Sequence, residues 1–142
     1  MKKDDIVKEA LSWCGTRWQH QTCCKGVATD CVGLAKGIYI NLTSKQIEAP
    51  SNYSATWHLF KSDEVMYQEA MRYCMDVGID NMQEGDLFLF AFGKGPAHHV
   101  GIYIGEGNFV HAWADIGKVS ISSLDGFWEK HLRYVLRFKQ VE

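Results

Sequence analysis

The sequence predicts an α+β domain: N-terminal helices packed on an antiparallel meander sheet of about five strands. Two observations predict it. Apolar residues recur at helical spacing through the first half of the chain, and after Gly78 the pattern switches to short apolar runs. Gly-rich turns then separate successive runs by too few residues for crossover helices, so neighbouring strands must run antiparallel.

In chain order, residues 3–14 read as an amphipathic helix, with Ile6, Val7, Ala10, Leu11 and Cys14 on its apolar face and Gly15 as its stop. Residues 15–30, rich in Gly, Thr, Gln and Cys, read as a loop. A second helix runs from about Cys31 to Leu42, capped by Thr29 or Asp30. Residues 43–61, with Pro50, Ser51 and Asn52, read as a connection. A third helix is expected over about 62–76, opened by Ser62 and Asp63. The strands follow: Asp86 to Phe92, His99 to Ile104, Asn108 to Trp113, a short one at Lys118 to Ser122, and Arg133 to Phe138. A helical turn at Phe127-Trp128-Glu129 precedes the last.

The 142 residues fit one domain, residues 1–142, with no repeat or linker. Fifteen basic against seventeen acidic residues leave a net charge of −2, which excludes a broadly electrostatic nucleic-acid binder. No apolar run approaches the roughly 18 residues of a membrane span. The lysines of Met1-Lys2-Lys3-Asp4-Asp5-Ile6 are not followed by an apolar segment, so the expectation is synthesis in the cytoplasm without a signal peptide. Five cysteines, an odd number, argue against a full disulfide framework. Cys23, Cys24 and Cys31 with His20 raise the question of zinc, but no C-x-x-C pair is present and adjacent cysteines diverge, so no metal and no organic cofactor is expected. Cys14 and Cys74 read as small buried hydrophobes.

Three residues carry candidate chemistry. Cys31 sits where a loop turns into a helix, and the positive end of the helix dipole favours thiolate there. His98 and His99 precede an apolar strand, and alternation sends them to opposite faces, so only one can face a helix packed on the sheet. His111 lies on the next strand, across a short turn, where it can orient the ring of His99.

In this order and spacing the chain resembles the NlpC/P60 cysteine peptidases, which have a papain-like fold. The resemblance runs through Trp13-Cys14-Gly15-Thr16, Asp30-Cys31-Val32-Gly33-Leu34, Glu84-Gly85-Asp86-Leu87-Phe88-Leu89-Phe90, His99-Val100-Gly101-Ile102-Tyr103-Ile104-Gly105 and Phe109-Val110-His111-Ala112. It implies a Cys-His-His triad of Cys31 as nucleophile, His99 as base and acid, and His111 as third member, working through a thioester acyl-enzyme. It implies that Asp30 holds a substrate α-amino group and that the Cys31 backbone N–H donates to the oxyanion. Trp18 and His20 are the further candidates for substrate contact. The implied substrate is a peptidoglycan stem peptide, cut between γ-D-Glu and a diamino acid. Trp18 stands where the family often has Tyr, and Val32 where it often has Ser; both bear on peptide preference.

His20-Gln21 and Lys25-Gly26 are similar to the loop of the phage or prophage tail-associated branch. That implies phage tail-tip proteins as partners and action at the cell wall after delivery by virion, lysis or a secretion system. Two alternatives stand beside this reading: a peptidoglycan amidase of the CHAP type, and a non-catalytic tail-tip assembly protein.

Overall fold

Helix α1 spans Lys3–Ser12. The Asp5 carboxylate accepts from the Lys2 N–H at 3.1 Å, and Asp4 and Asp5 both lie in the first turn, where the dipole favours negative charge. Ile6, Ala10 and Trp13 recur at helical spacing and are buried. The computed structural model of the chain describes residues 1–47 and 64–142. The helix ends two residues before the expected Cys14, which lies exposed in the following turn rather than in the core.

The expected loop over residues 15–30 holds three two-residue strands: β1 (Arg17–Trp18), β2 (Cys23–Cys24) and β3 (Ala28–Thr29). β3 pairs parallel with β1 and antiparallel with β2. Strands this short show no alternation of their own, so the sequence does not announce them. Helix α2 then runs Cys31–Thr43 and stops at Ser44, whose left-handed φ of 60° ends the helical run. Gly37 lets α2 approach α1 closely, because a Cβ there would collide with the Trp13 ring.

The Pro50-Ser51-Asn52 connection and the expected helix start at Ser62 and Asp63 lie outside the described residues. Helix α3 covers only Val65–Ala70. Cys74–Asp76, expected at the end of that helix, is strand β4, and its register with Leu136 to Phe138 shows a tertiary pairing overriding the helical pattern. The remaining elements fall where the periodicity placed them: β5 (Leu87–Phe90), β6 (His99–Gly105), β7 (Asn108–Trp113), β8 (Lys118–Ser123), α4 (Gly126–His131) and β9 (Leu132–Phe138).

Among the described residues the sheet has nine strands in the order β2-β3-β1-β8-β7-β6-β5-β9-β4, not about five. The short strands β1 to β3 and β4 extend it at its two ends. β5 to β8 form the expected meander. After β8, α4 carries the chain back so that β9 pairs with β5.

Alternation divides the sheet into two faces. Leu89, Val100, Ile102, Val110, Ala112 and Leu136 pack against Ile6, Ala10, Leu34 and Ile38 of α1 and α2. Phe88, Phe90, Phe109 and Val135 build a second, aromatic cluster on the other face, with Trp128 of α4 against it. Each fully buried Val, Leu, Ile or Phe side chain among these contributes about 1.5–3 kcal/mol. At the start of β5, the buried Asp86 accepts from Arg137 Nε at 2.8 Å and Arg137 Nη2 at 3.0 Å, a two-pronged ion pair that locks β5 to β9.

Candidate active site

Cys31 opens α2, and Asp30 is the residue that caps it. Asp30 Oδ1 accepts from the Gly33 N–H at 2.8 Å, while Oδ2 accepts from the Gln21 N–H at 2.7 Å. The Asp30 N–H in turn donates to the Thr22 carbonyl at 3.1 Å. One buried carboxylate therefore starts the helix and ties down the loop that carries His20. Gly33 permits this closeness: a Cβ at that position would overlap the Thr22 carbonyl oxygen and meet Thr29 Oγ1 at 2.6 Å.

The backbone N–H groups of Val100, Val32 and Cys31 itself lie close enough to the Cys31 thiol to favour its charged form. Val100 follows His99 in β6, so the thiol sits at the strand end from which His99 projects. The loop before β6 is pinned there. The Ala97 N–H donates to Glu64 Oε1 at 2.8 Å, Arg133 pairs with the same carboxylate, and Arg133 Nη1 donates to the Gly95 carbonyl at 2.9 Å.

His99 and His111 are both buried and lie together: His99 Nε2 and His111 Nδ1 are 2.8 Å apart. With Nε2 so engaged, Nδ1 is the nitrogen of His99 left for the thiol. The other nitrogen of His111, Nε2, lies 2.7 Å from Ser122 Oγ on β8. The two rings belong to the aromatic face of the sheet, not to the face under α2. Phe90 lies 5.9 Å from His99, Phe109 lies 4.6 Å from His111, and Trp128 lies 5.6 Å from His99 and 4.8 Å from His111 between ring centres. Cys31 and the two histidines thus come from opposite sides of the sheet and converge at the end of β6.

Burial dominates the electrostatics. It pushes the Cys31 thiol up to about 12, with the Asp30 charge adding to it and the three backbone N–H groups opposing. The helix dipole expected to favour thiolate is opposed here by loss of water and by the neighbouring carboxylate. Burial also holds His99 well below its ordinary value, with His111 and His98 adding to the effect, and lowers His111 to about 4. All three shifts act in the same sense and favour the uncharged forms, a thiol beside two neutral imidazoles.

The other expected residues are placed as follows. Trp18 is half-buried in β1, with its N–H donating to the Gly117 carbonyl at 2.8 Å. His20 is half-buried in the loop that Asp30 holds. His98 packs its ring 4.9 Å from that of Phe92 between centres, with Nδ1 at 3.2 Å from the Pro96 carbonyl. Cys23 donates to the Gly33 carbonyl at 3.1 Å, and among the described residues no three His, Cys, Asp or Glu side chains gather as metal ligands. Ser122 and Trp128 were not singled out from sequence. Pairing β7 with β8 would have brought Ser122 to the face of His111; nothing in the sequence foretells that Trp128 covers both rings.

Comparison with known proteins shows the family. The NlpC/P60 family model matches residues 9–137, and the chain belongs to the NlpC/P60 family. Members of that family are cysteine peptidases that act as peptidoglycan endopeptidases. A probable endopeptidase of Haemophilus influenzae is 39% identical over 70 residues, covering 49% of this chain and 44% of its own. A gamma-D-glutamyl-L-lysine dipeptidyl-peptidase of Bacillus subtilis is 41% identical over 64 residues, covering 43% of this chain and 22% of its own. A solved NlpC/P60 family protein from Bacillus cereus superposes with a TM-score of 0.70 at 26% identity, over 97% of this chain and 40% of that one. The chain spans less than half the length of these curated relatives.

Proposed function

We propose that this chain is a cysteine peptidase that hydrolyses peptidoglycan stem peptides at the bond between γ-D-Glu and a diamino acid. The observation that carries the reading is the His99–His111 contact of 2.8 Å at the strand end where the Cys31 thiol lies. Family membership supports the reaction class. The dipeptidyl-peptidase named for a γ-D-glutamyl-L-lysine bond supports the choice of bond.

In this mechanism the thiol is not a standing thiolate. His99 Nδ1 takes its proton as Sγ attacks the amide carbonyl, acting as a general base in the same step. The imidazolium so formed keeps its Nε2–H on His111. The Cys31 backbone N–H donates to the developing oxyanion. His99 then protonates the leaving amine, which departs and leaves a thioester. A water, deprotonated by His99, hydrolyses the thioester and restores the thiol. Asp30 holds the free α-amino group of the stem peptide, and Trp18 and His20 line the approach to it.

Delivery belongs to the same proposal. The His20-Gln21 and Lys25-Gly26 resemblance supports a protein carried to the wall by a phage tail, with tail-tip proteins as partners; lysis or a secretion system are the other routes. Recovery of the chain in purified tail particles tests it.

The activity is tested by incubating sacculi, and separately a free L-Ala-γ-D-Glu-diaminopimelate peptide, with the native protein and with Cys31→Ala. Mass spectrometry is expected to show cleavage after γ-D-Glu that disappears in the variant. Release of intact stem peptide would replace the reading with an amidase, and no Cys31-dependent product with an assembly protein.

A further inference from the structure

We propose that Ser122 is a positioning residue for this reaction: its hydroxyl accepts a hydrogen bond from His111 Nε2 and so supports the tautomers in which His99 Nδ1 is left bare for the thiol proton. The inference rests on the reading of Cys31 and His99 as the reacting pair.

A neutral imidazole has one N–H and one bare nitrogen. His99 can take the thiol proton only at Nδ1, so its own proton must be on Nε2. At 2.8 Å from that nitrogen, His111 Nδ1 must then be bare, and the His111 proton must be on Nε2. Nε2 meets Ser122 Oγ at 2.7 Å, so the hydroxyl has to accept. The opposite sense is equally satisfied in hydrogen bonds but inert: Ser122 donates, His111 is protonated on Nδ1, and His99 is protonated on Nδ1, where it blocks the base.

The reaction itself selects the accepting sense. Once His99 has the thiol proton, both its nitrogens carry hydrogen and His111 Nδ1 can only accept. His111 Nε2–H then needs an acceptor throughout the step. Phe109 and Trp128 flank this ring, so an N–H left without a partner there bears the full cost of a buried orphan donor. The lowered proton affinity of His111 fits, since a neutral ring is what keeps Nδ1 available as acceptor. Ser122 is half-buried, which leaves its own hydrogen room to turn away.

The strand supplies a matched control. Ser120 stands opposite His111 in the β7–β8 register, and its hydroxyl is buried with no hydrogen-bond partner among the described residues. It offers the same chemical group beside the same strand without the contact to Nε2.

The test uses ¹⁵N-histidine-labelled protein and the isosteric pair Ser122→Val and Ser122→Thr, both suited to a strand. Long-range ¹H–¹⁵N spectra of the native protein are expected to show Nε2–H on both rings. Ser122→Val is expected to move His111 toward Nδ1–H and to lower kcat about tenfold with KM unchanged, the loss of one hydrogen bond in the reacting state. Ser122→Thr is expected to keep the native tautomer and kcat within about twofold, and Ser120→Ala to behave as native. An unchanged His111 tautomer in Ser122→Val overturns the proposal. So does a Thr variant as impaired as Val, or an equal loss in Ser120→Ala. If the native protein cleaves no peptide, the catalytic reading fails, while the spectra still decide whether Ser122 sets the tautomers.

Discussion

The Asp30 carboxylate holds the first turn of the helix that begins with Cys31, and its charge opposes ionisation of the Cys31 thiol. The cap that places Cys31 thus also acts, after burial, to favour its protonated form. A family fold that puts a thiol on a helix N-terminus does not by itself make a thiolate, because the dipole acts against burial and against its own capping group.

The first prediction concerns that thiol. Alkylation of Cys31 by iodoacetamide, followed by peptide-resolved mass spectrometry to separate it from the exposed Cys14, Cys23 and Cys24, is expected to be slow at pH 7. It is expected to climb about tenfold per pH unit to pH 9 without a plateau, since the thiolate fraction grows in that way below the pKa. Asp30→Asn keeps a good helix cap and removes the charge, so it is expected to speed alkylation at pH 7 about fivefold. A plateau below pH 8 would show a preformed thiolate–imidazolium pair instead. If Asp30 also holds the substrate amine, the same variant raises KM for stem peptides with a free α-amino group.

The second prediction concerns stability and pH. In the unfolded chain His111 titrates near 6.5, and in the folded chain near 4. Between these values the unfolded state binds more protons, so lowering the pH favours unfolding. Stability is expected to be full above pH 6.5 and to fall as pH drops toward 4, by on the order of 3 kcal/mol from His111, with His99 adding in the same direction. Urea midpoints measured from pH 7.5 to 4.5 check this. His111→Gln is expected to be less stable at pH 7.5 but to show a shallower slope over the window. An unchanged slope would mean that the acid sensitivity arises elsewhere.

Much of this was legible in the sequence, for reasons that differ by element. The long periodic segments α1, α2 and β5 to β9 announce themselves because a buried face repeats along them. β1, β2 and β3 do not, because two residues carry no period. β4 was read as helix end because Cys74 also fits a helical face, and only its pairing with β9 shows the strand. Cys31, His99 and His111 were visible as residue types at telling spacings. Their protonation states were not, since burial of the thiol and of the two rings, the latter under Trp128, is a tertiary fact. Ser122 needed the β7–β8 register. The face that carries the histidines was legible from alternation, yet it is the face away from α2; the meeting with Cys31 depends on where β6 begins.

The third prediction tests how the nucleophile is placed. Gly33 is the third residue of α2, in its first turn, and Ala ordinarily stabilises a helix by up to about 1 kcal/mol over Gly. Here the added methyl would overlap the Thr22 carbonyl oxygen and press on Thr29 Oγ1 and Asp30 Oδ1, at 2.6 Å and 3.1 Å. The first of these is backbone, held by the Asp30 N–H, and cannot swing aside as a flexible side chain does. Either the loop carrying His20 lifts off Asp30, or the first turn of α2 shifts and takes Cys31 with it. Overpacking of this kind costs about 1–3 kcal/mol, so Gly33→Ala is expected to be destabilised despite its better helix propensity. A shift of about 1 Å at a reacting atom is enough to cost on the order of a hundredfold in rate. Peptide cleavage is therefore expected to fall far more than stability does, with Cys31 still present and still alkylated. A Gly33→Ala protein as stable and active as the native one would mean that the loop yields freely, and that the Asp30 lashing does not position Cys31.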